Sequence, residues 1–343
     1  MDLLKAFQDM DFDNNTDEGM TLNSRVLIVD GLNTFIRSFC AIPTMDTDGN
    51  HIGGITGFLK SLGYVIRLHK PTRVFVIFDG AGGSQRRRKL YPDYKSNRKP
   101  ITRLNRAHSV TTDKDDENLM KYELVLTAKA LQNLPVTIIS FDGVEADDIM
   151  AYVAHLTESK GGDSILYSTD KDFLQLINDS IRVWHPMTKV MYDTESALKK
   201  YEIHPVNYLL YRALTGDKSD NIPGVKGFGV KTALKHFPAF ATSTKLTVDD
   251  IMEIAKDSKA VVMQRLYESK DIIDLNLILM QLSDVNMSGN NKISIVDYYN
   301  NPPPKFNKYE LTKLLNEYNI TPALGNYDSW VATSFNSLTR FHD

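Results

Sequence analysis

Four hydrophobic runs in this sequence end in carboxylates, and that recurrence restricts the fold more than any other feature. Val26-Leu27-Ile28-Val29 runs into Asp30-Gly31, and Val74-Phe75-Val76-Ile77-Phe78 runs into Asp79-Gly80. Val136 to Phe141 leads to Gly143-Val144-Glu145-Ala146-Asp147-Asp148, and Ile165-Leu166-Tyr167 passes through Ser168-Thr169 into Asp170-Lys171-Asp172. Continuous apolar runs separated by helical patterns predict a mostly parallel sheet with helices on both faces. The carboxyl ends of such strands lie along one edge, where open α/β sheets hold their ligands. One Asp-Gly is explained as a turn, and acids in a first helical turn as caps. Four strands ending alike predict a carboxylate-lined pocket instead. Glu145 and Asp148, three apart, share one helical side with Asp147 off it, and three acids on one turn repel one another unless a cation gathers them.

The remaining core pattern is shorter. A helix is expected from about 53 to 69, stopped by Pro71, and a fifth strand at Ile181-Arg182-Val183-Trp184. Between the second and third strands an insertion at about 84–120 carries Arg86, Arg87, Arg88, Lys89, Lys95, Arg98, Lys99, Arg103 and Arg106, with Tyr91 and Tyr94 interleaved. The sign reverses at Asp113-Lys114-Asp115-Asp116-Glu117. A basic run is often only a solvated face, but aromatics among the charges, beside an acidic pocket, favour a strap that tracks a nucleic-acid backbone. If the stretch is helical, Lys95 and Arg98 share a face, while the consecutive Arg86, Arg87 and Arg88 fan around it.

After the sheet, Val206, Leu209, Leu210, Ala213 and Leu214 mark a helix closed by Gly216. Asp217-Lys218-Ser219-Asp220 follows, and then Gly224-Val225-Lys226-Gly227-Phe228-Gly229-Val230-Lys231-Thr232. No strand precedes this loop, Val230 separates Gly229 from Lys231-Thr232, and Thr232 stands where a dinucleotide fingerprint has its third glycine. It is therefore neither a P-loop nor a Rossmann turn. A tight hairpin between two helices, with exposed backbone N–H groups and Lys226, Lys231 and Lys235 around it, suits a backbone phosphate held without reading sequence.

The chain thus divides into an acidic arm (1–24), an α/β core (25–200), a helix–hairpin–helix region (201–240) and a helical remainder (241–343) with Pro302-Pro303-Pro304 as a linker. A formal net charge of −3 over 343 residues does not announce a nucleic-acid binder; the distribution of charge does. The single cysteine, Cys40, excludes an internal disulfide and suggests a reducing compartment. No run approaches the roughly 18 apolar residues a membrane span needs, so no membrane association is expected, and the acidic N-terminus does not look like a signal peptide. Leu3, Leu4, Phe7 and Met10 fall at helical spacing in the arm, which suits docking to a partner.

The stretches Val29-Asp30-Gly31, Phe78-Asp79-Gly80, Tyr94-Lys95-Ser96-Asn97-Arg98, Glu145-Ala146-Asp147-Asp148, Ser168-Thr169-Asp170-Lys171-Asp172 and Gly216 to Val225 occur in one order. That set resembles the structure-specific 5′ nucleases: flap endonucleases, the 5′-exonuclease domain of bacterial DNA polymerase I and their phage relatives. The arm and compact length look most like the T-even-phage ribonuclease H branch. The resemblance implies a PIN-like fold with a helical arch and two metal sites. Asp30, Asp79, Glu145 and Asp147 match the first site, Asp172, Asp217 and Asp220 the second, with Asp170 between them and Asp148 at a position acidic only in some branches. It further implies a catalytic basic pair at Lys95 and Arg98, with Tyr94 stacking on a base. The hairpin from Gly224 to Lys235 would grip duplex DNA, with K⁺ bound there. The substrate would be DNA with a 5′ flap or an RNA primer, and the partners a sliding clamp at the arm and a single-strand-binding protein. The setting would be the cytoplasm of a bacterial or phage-infected cell.

The chemistry of the residues agrees with that expectation. Oxygen ligands without a cysteine or histidine cluster select Mg²⁺, with Mn²⁺ as a substitute, and two such ions about 4 Å apart suit phosphodiester hydrolysis. A haloacid-type phosphatase would need Asp-x-Asp after the first strand, and Asp30-Gly31-Leu32 lacks the second acid. A non-catalytic DNA-binding protein would use hairpin and arch alone, but leaves an acidic pocket that repels DNA unexplained.

Overall fold

In the computed structural model, residues 20–98, 101–104, 113–285 and 287–341 are described. Leu3, Leu4, Phe7 and Met10 of the arm lie outside these, as do Lys99 and Arg106. Strands β1 (Arg25–Asp30), β2 (Arg73–Ile77), β3 (Thr137–Ile139), β4 (Asp163–Tyr167), β5 (Ile181–His185) and β6 (Val190–Tyr192) form one sheet in the order β3-β2-β1-β4-β5-β6. All neighbouring pairs are parallel except β5–β6.

Side chains alternate across the sheet, so each strand feeds two cores. Val26, Ile28, Phe75, Ile77 and Leu166 face one side, and Leu27, Val29, Val74, Val76 and Ile165 the other. Both sets are apolar, which is why the strands read as continuous hydrophobic runs. The first face is covered by α5 (Ala146–Ser159), α6 (Thr194–Tyr201), α7 (Pro205–Thr215), α8 (Val230–His236), α9 (Val248–Lys256), α10 (Val261–Glu268), α11 (Lys270–Met280) and α12 (Gly289–Asn300). The second is covered by α1 (Gly31–Ala41), α2 (Gly53–His69), α4 (Asp113–Leu131), α13 (Lys308–Glu317) and α14 (Tyr327–Thr339). The helical remainder beyond residue 241 is thus shared between both faces.

Strand order reverses between β1 and β4, the position where a parallel sheet opens a crevice at its carboxyl edge. Asp30 and Asp170 stand on the two sides of it.

Three elements depart from the sequence expectation. Helix α4 occupies 19 residues where only a charge reversal was read; its apolar positions are interrupted by charge, and it is held by packing on α2 and α13. The turn before β6 places Lys189 at φ +53°, and β6 itself is too short and too exposed to show a strand pattern. The arch is not one helix. Only α3 (Gln85–Leu90) is helical in its first part, and residues 92–97 form turns. Lys95 and Arg98 therefore share no helical face.

Candidate active site

Asp79 decides what the other acids are free to do. Its carboxylate accepts the N–H of Ala146, the first residue of α5, at 2.8 Å. Glu145, the residue at the N-cap position, makes no capping bond with its own side chain. Capping therefore does not account for the acids of this turn, because an acid from another strand supplies the cap.

Asp30 does cap locally, accepting Asn33 N–H at 3.0 Å, and its second oxygen accepts the Ser168 hydroxyl at 3.2 Å. Burial first, then Asp79 and Asp170, push its pKa up to about 7. Asp147 is half-buried and has no hydrogen-bond partner among the described residues. Burial and the Asp170 carboxylate hold its pKa well above the usual range, despite Lys95. Asp170 accepts Asp172 N–H at 2.8 Å and is also raised, chiefly by burial. Asp172 is pushed to about 7 by burial and Asp170, against the pull of Arg212. Among the described residues no cation contacts Asp30, Asp147 or Asp170, and Arg212 reaches only Asp172, at the edge of the centre these four form.

Around that centre Glu145, Asp148, Asp217 and Asp220 each contact a cation, while the Asp79 side chain has only the Ala146 N–H. Arg87 is buried (6% exposed) and forks onto Asp148, at 2.8 and 3.0 Å, while also contacting Glu145. Lys95 Nζ reaches Glu145 at 2.6 Å and Asp220 at 4.0 Å. Although burial opposes it, these two cations hold Glu145 below the carboxylate norm. Arg98 bonds Asp220 at 2.7 Å. Arg212, on α7, bridges Asp172 at 2.9 Å and Asp217. Asp217 also accepts the Ser219 N–H and hydroxyl, so its pKa is lowered although burial works the other way.

The arch base is stitched to the same loop. Lys95 adopts φ +57° and donates its N–H to Asp220 O at 2.8 Å, while Asn221 donates to Asp93 O and Asn97 to Lys218 O. Here the placement corrects three sequence expectations. Arg87 is an internal counter-ion, not a DNA contact: consecutive helical residues point about 100° apart, so Arg87 turns inward while Arg88 stays exposed. Tyr94 is buried, its hydroxyl 3.4 Å from Glu145, and offers no face for a base to stack on. Asp148 is occupied by the Arg87 fork and is not a free metal ligand. Sequence reading also passed over Arg212, since α7 was read only for its apolar stripe. Its place in the helix's last turn, just before Asp217, was the available signal.

The hairpin closes through backbone contact. Val225 N–H donates to Leu214 O at 2.8 Å, and a Cβ at Gly224 would lie 2.1 Å from Thr215 O. Gly227 has φ +85°. Val225 and Phe228 are buried anchors, Gly229 precedes α8 in open space, and the Thr232 hydroxyl turns back to Gly227 O at 3.3 Å. Lys226, Lys231 and Lys235 are exposed.

Among the described residues, no three acids, imidazoles or thiols stand close enough together to enclose an ion. The donor set nevertheless fits a hard divalent cation: oxygen only, mutually repelling, with Asp147 unpartnered.

Fold and site together define a resolvase-like α/β protein with an acidic crevice and an attached helical hairpin region. A family model described as 5′-3′ exonuclease, N-terminal resolvase-like domain, matches residues 25–202, and one described as 5′-3′ exonuclease, C-terminal SAM fold, matches 203–297. The chain belongs to the 5′-3′ exonuclease family. It is 31% identical to the flap endonuclease Xni of Shewanella oneidensis over 284 residues, 82% of this chain and 97% of that one. It is 34% identical to a 5′-3′ exonuclease of Aquifex aeolicus, over 60% of this chain and 66% of the exonuclease. Against the thermostable DNA polymerase I of Thermus thermophilus it is 35% identical over 62% of its length, spanning 23% of the polymerase. The crystal structure of T5 D15 protein co-crystallized with metal ions shares the fold, with a TM-score of 0.62 at 20% identity over 88% of this chain and 99% of that one.

Proposed function

We propose that the chain is a divalent-metal-dependent, structure-specific 5′ nuclease, cutting phosphodiesters near the 5′ end of flapped, nicked or RNA-primed DNA and leaving 5′-phosphate and 3′-hydroxyl. The observation that carries this reading is the centre of Asp30, Asp147 and Asp170, which no cation contacts among the described residues, beside acids already paired with cations. Such a centre attracts added cations and repels DNA without them.

Asp30, Asp79, Glu145, Asp147 and Asp170 would hold one Mg²⁺ or Mn²⁺, and Asp170, Asp172, Asp217 and Asp220 a second. When bound, the ions supply a nucleophilic hydroxide at neutral pH and stabilise the leaving oxygen. Lys95 and Arg98 sit on Glu145 and Asp220, at the rim of this centre, and would neutralise charge building on the phosphate. A positioned donor of this kind contributes about 2–4 kcal/mol. The exposed Lys226, Lys231 and Lys235 would hold duplex phosphates, with K⁺ at the hairpin, and Arg88 and half-buried Arg86 would attract the flap strand. Primer removal in a bacterial or phage-infected cytoplasm, with a sliding clamp and a single-strand-binding protein as partners, is the setting we infer. Ribonuclease H activity on RNA–DNA primers belongs to the same reading.

The test pairs activity with binding. Wild-type protein should cleave a labelled 5′ flap in Mg²⁺ and be stabilised by the ion, by RT ln(1 + [L]/Kd). Asp172→Ala should lose cleavage and most of that stabilisation. Wild-type turnover by Asp172→Ala would sink the two-metal reading.

A further inference from the structure

The cations that touch the pocket's acids are not held alike. Lys95 and Arg98 follow α3 in a segment of turns, and Arg98, its side chain more than half exposed, reaches Asp220 through one nitrogen. Arg212 uses all three of its nitrogens. Nε donates to Asp172 at 2.9 Å, one terminal nitrogen donates to Asp217, and the other to Gly216 O at 3.3 Å.

The frame around this fork is fixed as well. Helix α7, which bears Arg212, packs against the short helix Lys171–Leu176, which bears Asp172. Asp217 is held in its turn by exchanging backbone hydrogen bonds with Ile222, at 2.9 and 2.7 Å. Arg98 is thus placed to leave its acid for an arriving phosphate, whereas Arg212 has no nitrogen to spare.

The fork also decides which oxygens remain. Asp172 gives Oδ1 to Arg212, and its Oδ2 has no partner among the described residues. Asp217 Oδ1 accepts the N–H and hydroxyl of Ser219, and its Oδ2 accepts Arg212. Charge follows the same division. No cation contacts Asp30, Asp147 or Asp170 among the described residues, while a guanidinium sits between Asp172 and Asp217. A fixed positive charge beside a site lowers its affinity for a further cation, and more so where water is partly excluded.

We propose that Arg212 is a positioning residue that makes the second metal ion conditional on substrate. Its charge keeps the site of Asp172, Asp217 and Asp220 weak in the free protein, and the phosphate of bound DNA supplies the negative charge that fills it. The centre of Asp30, Asp147 and Asp170, which lacks such a guanidinium, fills on its own. The full set of ions is therefore assembled only when DNA is present. This rests on the nuclease reading above.

The experiment counts Mn²⁺ bound to the full chain from the loss of the free-ion electron paramagnetic resonance signal, alongside cleavage of a 5′ flap by the wild type in Mg²⁺. The ion is titrated without DNA, with a nicked duplex carrying a 5′-phosphate at the nick, and with the same duplex lacking that phosphate. Wild type should bind one ion tightly and a second about tenfold more weakly or worse. The phosphorylated duplex should close most of that gap, and the unphosphorylated one should not. Arg212→Gln, neutral but still a donor, should bind the second ion about tenfold more tightly without DNA and respond little to the phosphate. Arg212→Lys keeps the charge and should keep the wild-type gap. Melting temperatures identify a variant that fails to fold, and Arg212→Met then takes the place of Arg212→Gln. If wild type cleaves the flap but the neutral variant leaves the second affinity unchanged, or loses the second ion, Arg212 does not gate the site and the nuclease reading stands. If wild type neither cleaves the flap nor binds Mn²⁺, both fall.

Discussion

At the residue scale, the pocket is governed by which acids have cations and which do not. Asp30 carries its proton up to about 7 where an ordinary aspartate is at 3.8. The folded state therefore binds that proton more tightly than the unfolded chain, so this group's contribution is full below pH 4 and is lost as pH rises toward 7. Asp30→Asn keeps the cap on Asn33 and removes the charge. In EDTA at pH 8 it should be more stable than wild type by on the order of 2 kcal/mol, the gain shrinking toward zero near pH 4, as read by urea unfolding. Equal stability at pH 8 would remove the repulsion argument. Arg87 is the opposite case. Arg87→Met leaves Glu145 and Asp148 buried and short of a partner, and should lower stability by about 3–5 kcal/mol. A loss below 1 kcal/mol would show that water already reaches those acids.

At the scale of elements, the arch and the hairpin would divide the work on DNA under the proposed function. Because Arg87 faces inward, only its neighbours are available to a flap strand. Lys95→Ala should slow single-turnover cleavage a hundredfold or so, in line with one lost electrostatic contact of about 2–4 kcal/mol. Arg88→Ala with Lys89→Ala should instead weaken flap binding, and identical profiles for the two variants would make the arch one undifferentiated basic surface. In the hairpin, Lys226→Ala with Lys231→Ala should flatten the salt dependence of duplex binding by about 1–2 in slope. Unchanged binding with a slower chemical step would mean the hairpin belongs to catalysis.

For the molecule as a whole, the segment after residue 297 lies beyond the family models yet completes the second core. Trp330 packs edge-on against Phe335 at 5.1 Å, and a Cβ at Gly63 would lie 2.6 Å from its indole nitrogen. Arg67, one turn further along the same helix, donates to the Ser334 hydroxyl at 2.6 Å. Trp330→Ala should therefore cost about 3–5 kcal/mol in urea unfolding. Little change would show that α14 is only an appendage. The opposite end of the sheet is held by Arg73, fully buried, which donates to Thr137 and to Tyr298 O and Asn301 O at the C-terminal end of α12. Carbonyls at a helix end are favourable acceptors for a cation.

The sequence by itself determined the parallel sheet and the edge at which its acids gather. Both follow from local facts: an uninterrupted apolar run is a strand buried on two faces, and the residue that follows it stands at the strand's end. It also determined the hairpin, because Gly216 and Gly224 permit a backbone approach that a side chain would block. Pairing was decided only by the tertiary structure. Nothing in Arg86-Arg87-Arg88 says which arginine turns inward, or that Asp79 would cap a helix beginning at Ala146. Nor does the sequence show that Arg212 would bridge two acids. Charge acts through space, and the distances that set it exist only once the strands are side by side.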